Sequence, residues 1–210
     1  MLIKVLDRCN AEILNALVLL HTDAFPGFFL TSLGDRFLRL LYTSYLESKS
    51  CACIIAYKEN EVASDICASI IVINNPSAFY RLLLKKKWSS FLYASLFGAM
   101  NQPLLLVKKL YSALFYRGDA DTKFDVTNGA LIASIAVSPS AQGWGVGKKL
   151  LKEAEQWAEQ QGLWFAYLTT DRDNNKAVND FYQKCGYRLD STIEKSGGRI
   201  MARYVKKWTI

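Results

Sequence analysis

The sequence has little of the residue types that build metal centres and disulfide frameworks. Its 210 residues include one histidine, His21, and five cysteines at irregular spacing. A lone histidine excludes a histidine-rich metal centre, and any nucleophile–histidine pair would have to use His21. An odd number of irregularly spaced cysteines does not match the disulfide framework of a secreted domain. We therefore expect reduced, mostly buried cysteines, no metal ion, no signal peptide and a cytoplasmic location.

Acidic residues are absent between Asp65 and Asp119, where the sequence has seven lysines and arginines. The whole chain has a formal net charge of +7, so the positive excess belongs to this segment. Three interpretations stay open. The segment contacts a membrane peripherally over residues 78–117, it binds a phosphate-bearing ligand, or its apolar side packs on the domain while the lysines are merely solvated. No motif typical of nucleic-acid binding accompanies the basic residues, so we expect no nucleic-acid partner.

Charged residues are also absent from Trp88 to Val107. A run of about 20 apolar residues could span a bilayer, but Asn101-Gln102-Pro103 interrupts this one and leaves two short pieces. The pattern predicts a basic, apolar helix–turn–helix insertion over about 74–122, with its turn at these three residues. The length of the chain suits a single domain, 1–210, with that insertion.

Hydrophobic periodicity predicts strands and helices in alternation along the rest of the chain. The predicted strands are 1–8, 51–57, 65–73, 129–137 and 163–170, followed by a terminal hairpin of 187–193 and 199–208. The predicted helices are 10–22, 35–46, 146–161 and 176–184, and Gly186 is expected to end the last of them.

A glycine-rich turn lies between the strand ending at Val137 and the helix predicted from Val146. Glycine occupies positions 143, 145 and 147, and it allows unusual φ values and a close approach of the backbone to a ligand. The first amides of a helix have no internal partners and carry the positive end of the helix dipole. Such a turn is typical of sites that bind phosphate oxygens, and Lys148 and Lys149 add positive charge.

The spacing of these residues excludes two common phosphate-binding motifs. A Walker loop needs Ser or Thr where Lys149 stands, and the glycines lack the interval of the dinucleotide fingerprint. What matches is Gln142-Gly-Trp-Gly-Val-Gly147, which resembles the Arg/Gln-x-x-Gly-x-Gly/Ala signature of the GCN5-related N-acetyltransferase (GNAT) superfamily. An ordinary strand–helix turn is the alternative interpretation.

A second block downstream also resembles this family. Its residues match the family's recurring asparagine, small residue, Phe-Tyr pair and Gly-aromatic pair, and they are Asn175, Ala177, Phe181, Tyr182, Gly186 and Tyr187. Two blocks in the right order are far more specific than one. The resemblance covers residues 129–187 well, whereas the amino-terminal half agrees only in its element order.

The resemblance implies an α/β (α+β) fold with a mixed, mostly antiparallel central sheet flanked by helices, and a helical insertion before the fourth strand. It implies an N-acetyltransferase that uses acetyl-CoA as the acyl donor. Tyr182 would be the catalytic acid for the leaving thiolate, and Phe181 and Tyr187 would be core residues. The residues expected to contact the cofactor are Ile135, Ala136, Val137, Gln142, Gly143, Trp144, Gly145, Val146, Gly147, Lys148, Asn175 and Tyr182.

A general base is not assigned by the sequence. The strand over 129–137 has no glutamate, and Ser134 is its only polar interior residue. Asp171, His21 and Asp23 are candidates, or water acts alone. Cys185 as an acyl-carrying nucleophile is disfavoured, because the family mostly transfers the acyl group directly.

The acceptor is less defined than the donor. The segment from Phe25 to Tyr42 resembles a GNAT subgroup found with bacterial surface-polysaccharide genes, which implies a small amine such as an amino sugar or a nucleotide amino sugar. Arg36 and Arg39 in this segment are expected to be solvated. Alternatives are an acyltransferase of the same fold with a longer acyl or aminoacyl donor, and a non-catalytic acyl-CoA-binding protein. We expect a monomer or a homodimer.

Overall fold

A computed structural model of the protein describes residues 1–6, 10–98, 125–195 and 198–208. Its strands are β1 (Leu2–Val5), β2 (Cys51–Tyr57), β3 (Ile66–Ile73), β4 (Gly129–Val137), β5 (Phe165–Asp171), β6 (Arg188–Lys195) and β7 (Arg199–Lys207). Its α-helices are α1 (Ala11–Ala24), α2 (Phe29–Ser32), α3 (Asp35–Leu46), α4 (Pro76–Gly98), α5 (Val146–Gln160) and α6 (Lys176–Lys184). Single 3₁₀ turns lie at Ala63–Asp65 and Pro139–Ala141.

The strands form one seven-stranded sheet in the order β1-β2-β3-β4-β5-β7-β6. Every neighbouring pair is antiparallel except β4 and β5, which run parallel. The predicted mixed, mostly antiparallel sheet is therefore confirmed. The parallel pair is joined through α5, as a parallel connection requires a crossover.

Helices cover both faces of this sheet. On the first face, α1, α3 and α4 pack over a cluster that includes Phe37, Tyr45 and Phe91. On the second face, α5 packs over a cluster that includes Leu150 and Tyr182. Because both faces are covered, β2 and β3 are buried along almost their whole length. In a sheet with one solvent-exposed face, buried and exposed residues would alternate along each strand.

Most predicted elements lie within two residues of their observed bounds. Asn10 explains the start of α1, since its side-chain oxygen accepts the amide of Ile13 at 2.8 Å, as expected of an N-cap. Gly186 ends α6 with a φ of +89°. The short helix α2 was not predicted, because its four residues carry no usable periodicity.

The basic insertion is helical as far as the structure describes it. Residues Pro76–Gly98 form one continuous helix, so Lys85–Lys87 lie inside a helix rather than ahead of one. The predicted turn at Asn101–Pro103 lies outside the described residues, and so does Cys9. Cys51, Cys53, Cys67 and Cys185 are free thiols. Within the ranges given above, no helix has both the length and the apolar character needed to cross a membrane.

Candidate active site

The two parallel strands of the sheet separate soon after they meet. Backbone pairing between β4 and β5 covers three residue pairs and ends at Leu131 and Tyr167. Beyond that point β4 continues beside β3 to Val137, and β5 continues beside β7 to Asp171. We call the space between Ile132–Val137 and Leu168–Asp171 the strand gap. Along the described strands, the backbone edge of β4 that borders this gap has no partner strand.

A close contact fixes the closed end of the strand gap. A Cβ atom built on Gly129 would lie 2.1 Å from the ring of Phe165 on β5. Only glycine permits this approach of the two strands. A second irregularity follows on β4, where the pairing with β3 shifts register between Ile71 and Val72. Such a bulge bends a strand, and this one lies where β4 leaves β5.

The turn that follows β4 has the features predicted for phosphate binding. We call residues Gln142–Lys148 the glycine turn. Gly143 and Gly145 have φ values of +83° and +73°, which strain any other residue type. A Cβ built on either glycine would meet nothing within 4 Å, so the backbone of the turn faces open space.

Gly147 is needed for a different reason than Gly143 and Gly145. It is helical and buried, and an added Cβ would lie 3.2 Å from the ring of Phe181 and 3.8 Å from Ile135. Gly147 is not among the glycines with positive φ, so packing rather than backbone conformation explains glycine here. The small residue instead lets β4, α5 and α6 meet at one point.

The amides at the start of α5 are available to a ligand. Lys149 is the first residue of the helix whose amide bonds a carbonyl of the turn, that of Gly145 at 3.2 Å. Among the described residues, the amides of Gly143 and of residues 145–148 donate to no backbone carbonyl. No side chain caps the helix. These amides point their positive ends out of the protein, as in an anion-binding helix terminus.

Basic side chains surround the same turn. Lys148 and Lys149 are exposed on α5. Lys58, which follows β2, donates to the hydroxyl of Ser140 at 3.0 Å. Sequence reasoning missed Lys58, because it lies 82 residues away from its partner along the chain. No local pattern could have identified it.

Tyr182 lies on α6 within a group of aromatic rings. Its centroid is 5.2 Å from that of Phe181, 6.0 Å from that of Tyr187 and 5.9 Å from that of Tyr204. The side chain is 6% exposed. Burial, with a smaller contribution from Cys185, raises the pKa of Tyr182 well above that of a free phenol. The hydroxyl therefore stays protonated at neutral pH and can donate a hydrogen bond to a basic atom.

Asn175 joins the end of β5 to the start of α6. Its side-chain amide donates to the hydroxyl of Thr170 at 2.9 Å and to the carbonyl of Asp171 at 3.1 Å. Asn179 also donates to the Asp171 carbonyl, at 3.1 Å. These bonds give Asn175 a structural task at the mouth of the strand gap, and its predicted contact with a cofactor stays a prediction.

The candidate general bases differ in their surroundings. The Asp171 carboxylate pairs with Arg199, with 2.8 Å between Nη2 and Oδ2. Asp23 is exposed at the end of α1. His21 is 4% exposed, and its Nδ1 atom lies 3.1 Å from the hydroxyl of Tyr42. Burial lowers the pKa of His21 to about 4, so the imidazole is neutral at physiological pH.

His21 and Tyr42 belong to a group of polar side chains between the first face of the sheet and the helices that cover it. The side chains of Ser134 on β4 and Ser69 on β3 act as hydrogen-bonding neighbours of the Tyr42 hydroxyl, although burial still raises the pKa of Tyr42. Ser69 and Tyr42 are buried, and Ser134 is half-buried. This group places the polar side chain that the sequence singled out on β4 next to the only histidine.

The parts of the site are complementary to a long ligand that carries phosphate at one end. The glycine turn offers amides and cations to a phosphate, and the strand gap offers an unpaired backbone edge to an extended chain. An acyl-coenzyme A has both features, and the open space above Gly143 and Gly145 leaves room for it. The geometry suits a ligand of this kind, and comparison with known proteins bears on its identity.

Residues 112–187 match the model of the Acetyltransferase (GNAT) family. Over this segment the chain is thus similar to GNAT acetyltransferases. It is 41% identical over 82 residues to a protein from Arabidopsis thaliana named Probable N-acetyltransferase HLS1, a match that covers 39% of this chain and 17% of that protein. The matched segment spans about one sixth of the length of the curated relatives.

Solved structures show the same fold at low sequence identity. The ribosomal-protein-alanine N-acetyltransferase from Brucella melitensis has a TM-score of 0.62 at 13% identity, over 99% of this chain and 100% of that one. An aminoglycoside 6'-N-acetyltransferase complexed with coenzyme A has a TM-score of 0.61 at 12% identity, over 99% and 97%. These matches confirm the predicted fold class. The family model and the curated relatives are named for acetyltransferases.

The neutrality of buried His21 predicts a loss of stability in mild acid. Burial in the folded protein disfavours the imidazolium, whereas the imidazole in the unfolded chain has its ordinary pKa of 6.5. The contribution of the neutral imidazole to the free energy of unfolding is therefore complete above pH 6.5 and is lost as the pH falls towards 4. For a pKa shift of this size the loss is about 2–3 kcal/mol. Urea unfolding of the wild type and of His21→Asn at several pH values measures this loss of stability.

Asparagine can accept the Tyr42 hydroxyl bond without titrating, so the variant's free energy of unfolding should depend less on pH between 6.5 and 4. The carboxylates titrate in both proteins and cancel in the difference. If the free energies of unfolding of the two proteins depended equally on pH, the folded protein would not lower the pKa of His21.

Proposed function

We propose that this protein is an N-acetyltransferase that moves an acetyl group from acetyl-CoA directly to the primary amine of a small acceptor. The observation that carries the proposal is the convergence of the strand gap and the glycine turn at the end of β4. The unpaired strand edge ends at Val137, and the open amides begin six residues later, at Gly143. The glycine turn, proposed to bind phosphate, thus follows directly on the strand edge proposed to bond an extended chain.

The residues proposed to hold the cofactor follow from this arrangement. The amides of the glycine turn, with Lys148 and the exposed side chains of Gln142 and Trp144, bind the diphosphate. The backbone of Ile135–Val137 bonds the extended pantetheine arm. Asn175 contributes through its side-chain oxygen, since its amide nitrogen already donates to two protein groups.

When bound, acetyl-CoA supplies an acetyl group activated as a thioester. We propose that a backbone amide of β4 polarises the thioester oxygen, which is the role of an oxyanion donor. Tyr182 follows Phe181, whose ring lies against Gly147 at the start of α5, so α6 packs beside the glycine turn. We propose that Tyr182 donates a hydrogen bond and then its proton to the leaving sulfur.

The acceptor amine must be neutral to attack. Asp171 is paired with Arg199 and His21 is a weak base with a pKa of about 4. We therefore propose that water removes the amine proton, with positioning as the main contribution of the protein to the rate.

The acceptor is proposed from the sequence alone as an amino sugar or a nucleotide amino sugar. The structural neighbours are named for acceptors as different as aminoglycosides and a ribosomal-protein alanine, so the fold leaves this choice open. The resemblance to a bacterial polysaccharide subgroup, a cytoplasmic location and a monomer or homodimer are proposals on the same footing. A longer acyl or aminoacyl donor is the alternative.

Substitution of Gly145 by glutamate should abolish acetyl-CoA binding. The new carboxylate would occupy the open space above the turn and repel the diphosphate. Gly162 provides a matched control, because it has nearly the same φ, +74°, and also meets nothing within 4 Å. We expect the thermal stabilisation by acetyl-CoA to vanish in Gly145→Glu and to persist in Gly162→Glu.

Both variants carry the same backbone strain and the same charge at opposite ends of α5. An equal loss of ligand-induced stabilisation in the two proteins would place the effect in the helix as a whole and contradict a phosphate site at the turn.

Removal of the Tyr182 hydroxyl should slow turnover while leaving cofactor binding almost unchanged. Thiol release is measured first with wild-type protein and acetyl-CoA over amino sugars, nucleotide amino sugars, polyamines and peptide amino termini. With the best amine, Tyr182→Phe should lower kcat by about 10²–10³-fold, as expected for the loss of an acid catalyst. The substituted phenyl ring would keep the aromatic contacts, so a parallel loss of acetyl-CoA affinity would show that Tyr182 is structural.

A further inference from the structure

The outward side of α4 combines aromatic, aliphatic and basic side chains. We call this set the α4 outer face, and it consists of Arg81, Leu82, Lys85, Lys86, Trp88 and Tyr93. Leu82, Trp88 and Tyr93 are 50%, 61% and 60% exposed. Large apolar side chains at these exposures, three on one helix, are unusual on a helix that otherwise packs well.

The helix repeat places these residues side by side. Leu82, Lys86 and Tyr93 are separated by four and seven residues and lie along one line of the helix. Arg81, Lys85 and Trp88, separated by four and three residues, lie along a neighbouring line of the helix. The opposite side of the helix is occupied, since Phe79, Leu83 and Phe91 are buried in the first core cluster. The α4 outer face is therefore the solvent-exposed side of a helix whose other side is packed in the core.

The charges of the α4 outer face are all positive. Helix α4 contains no acidic residue, and among the described residues none of Arg81, Lys85 and Lys86 forms an ion pair. Lys87, on the inner flank, is the lysine of this run that is neutralised, by Glu47 at 2.8 Å. Three cations without acidic partners in the described part of the chain are thus presented together with the exposed apolar side chains.

We propose that the α4 outer face docks the enzyme on an anionic membrane surface. Tryptophan and tyrosine rings suit the boundary between headgroups and acyl chains, and lysine and arginine beside them attract anionic lipids. An acidic protein partner would also match the charge and the aromatic rings, and it is the occupant left if the protein fails to bind anionic vesicles. The helix would lie in the plane of the interface, because no described helix can span the bilayer.

Flotation of the full chain with vesicles tests this docking. The protein is mixed with phosphatidylcholine vesicles or with vesicles in which about one lipid in three is phosphatidylserine, at low and high salt. We expect flotation only with the anionic vesicles, and release at high salt. Failure of the wild-type chain to float at low salt overturns the proposal.

Two double variants separate the apolar and the charged contributions. Leu82→Ser with Trp88→Ser removes apolar side chains, and Lys85→Glu with Lys86→Glu reverses charge. Each should reduce the floated fraction at least tenfold. The matched controls are Trp164→Ser, which removes a tryptophan that is 54% exposed elsewhere, and Lys152→Glu with Lys184→Glu, which makes the same change in net charge.

Controls should float like the wild type, and equal flotation of the α4 variants would contradict the proposal. Thermal stabilisation by acetyl-CoA should be unchanged in every variant, which keeps this test independent of the proposed enzymatic function. Sedimentation without lipid reports self-association. A dimer that Trp88→Ser dissociates, with no flotation, would instead assign the α4 outer face to a second copy of the chain.

Discussion

The separation of β4 from β5 is the constraint on which the site depends. The strands pair over three residues and then diverge, because each is held by a different neighbour, β3 on one side and β7 on the other. An antiparallel neighbour on each outer edge keeps the gap from closing or collapsing. The unpaired edge of β4 is costly in a buried position, and a ligand that bonds it relieves that cost.

The glycine turn is useful only because of where this separation leaves it. The turn follows β4 directly, and α5 then crosses the second face of the sheet, so the open amides lie just beyond the end of the strand that borders the gap. Phe181 and Ile135 both lie against Gly147, so α6 and β4 pack at the start of α5. The position of Tyr182 follows from that packing and from the aromatic rings around it.

The elements and the two motif blocks could be predicted because their signals are local. The stripe of α5 and the turn residues around Gly143 and Gly145 are encoded within about twenty residues. The contact of Lys58 with Ser140, the pairing of Asp171 with Arg199 and the bonds that occupy Asn175 could not be predicted, since they depend on the fold. Gly147 shows the same limit, because a sequence motif does not indicate whether a glycine is required for a positive φ or for close packing. The acceptor is not predicted for a related reason, as it depends on side chains from several distant elements.

The most direct test of the account is the ¹H–¹⁵N spectrum of the protein titrated with acetyl-CoA. The account predicts that the largest shifts occur at the amides of Gly143, Gly145 and Gly147, followed by those of Ile135 and Val137. Binding that leaves these five amides unchanged, while amides elsewhere in the protein shift, would contradict it.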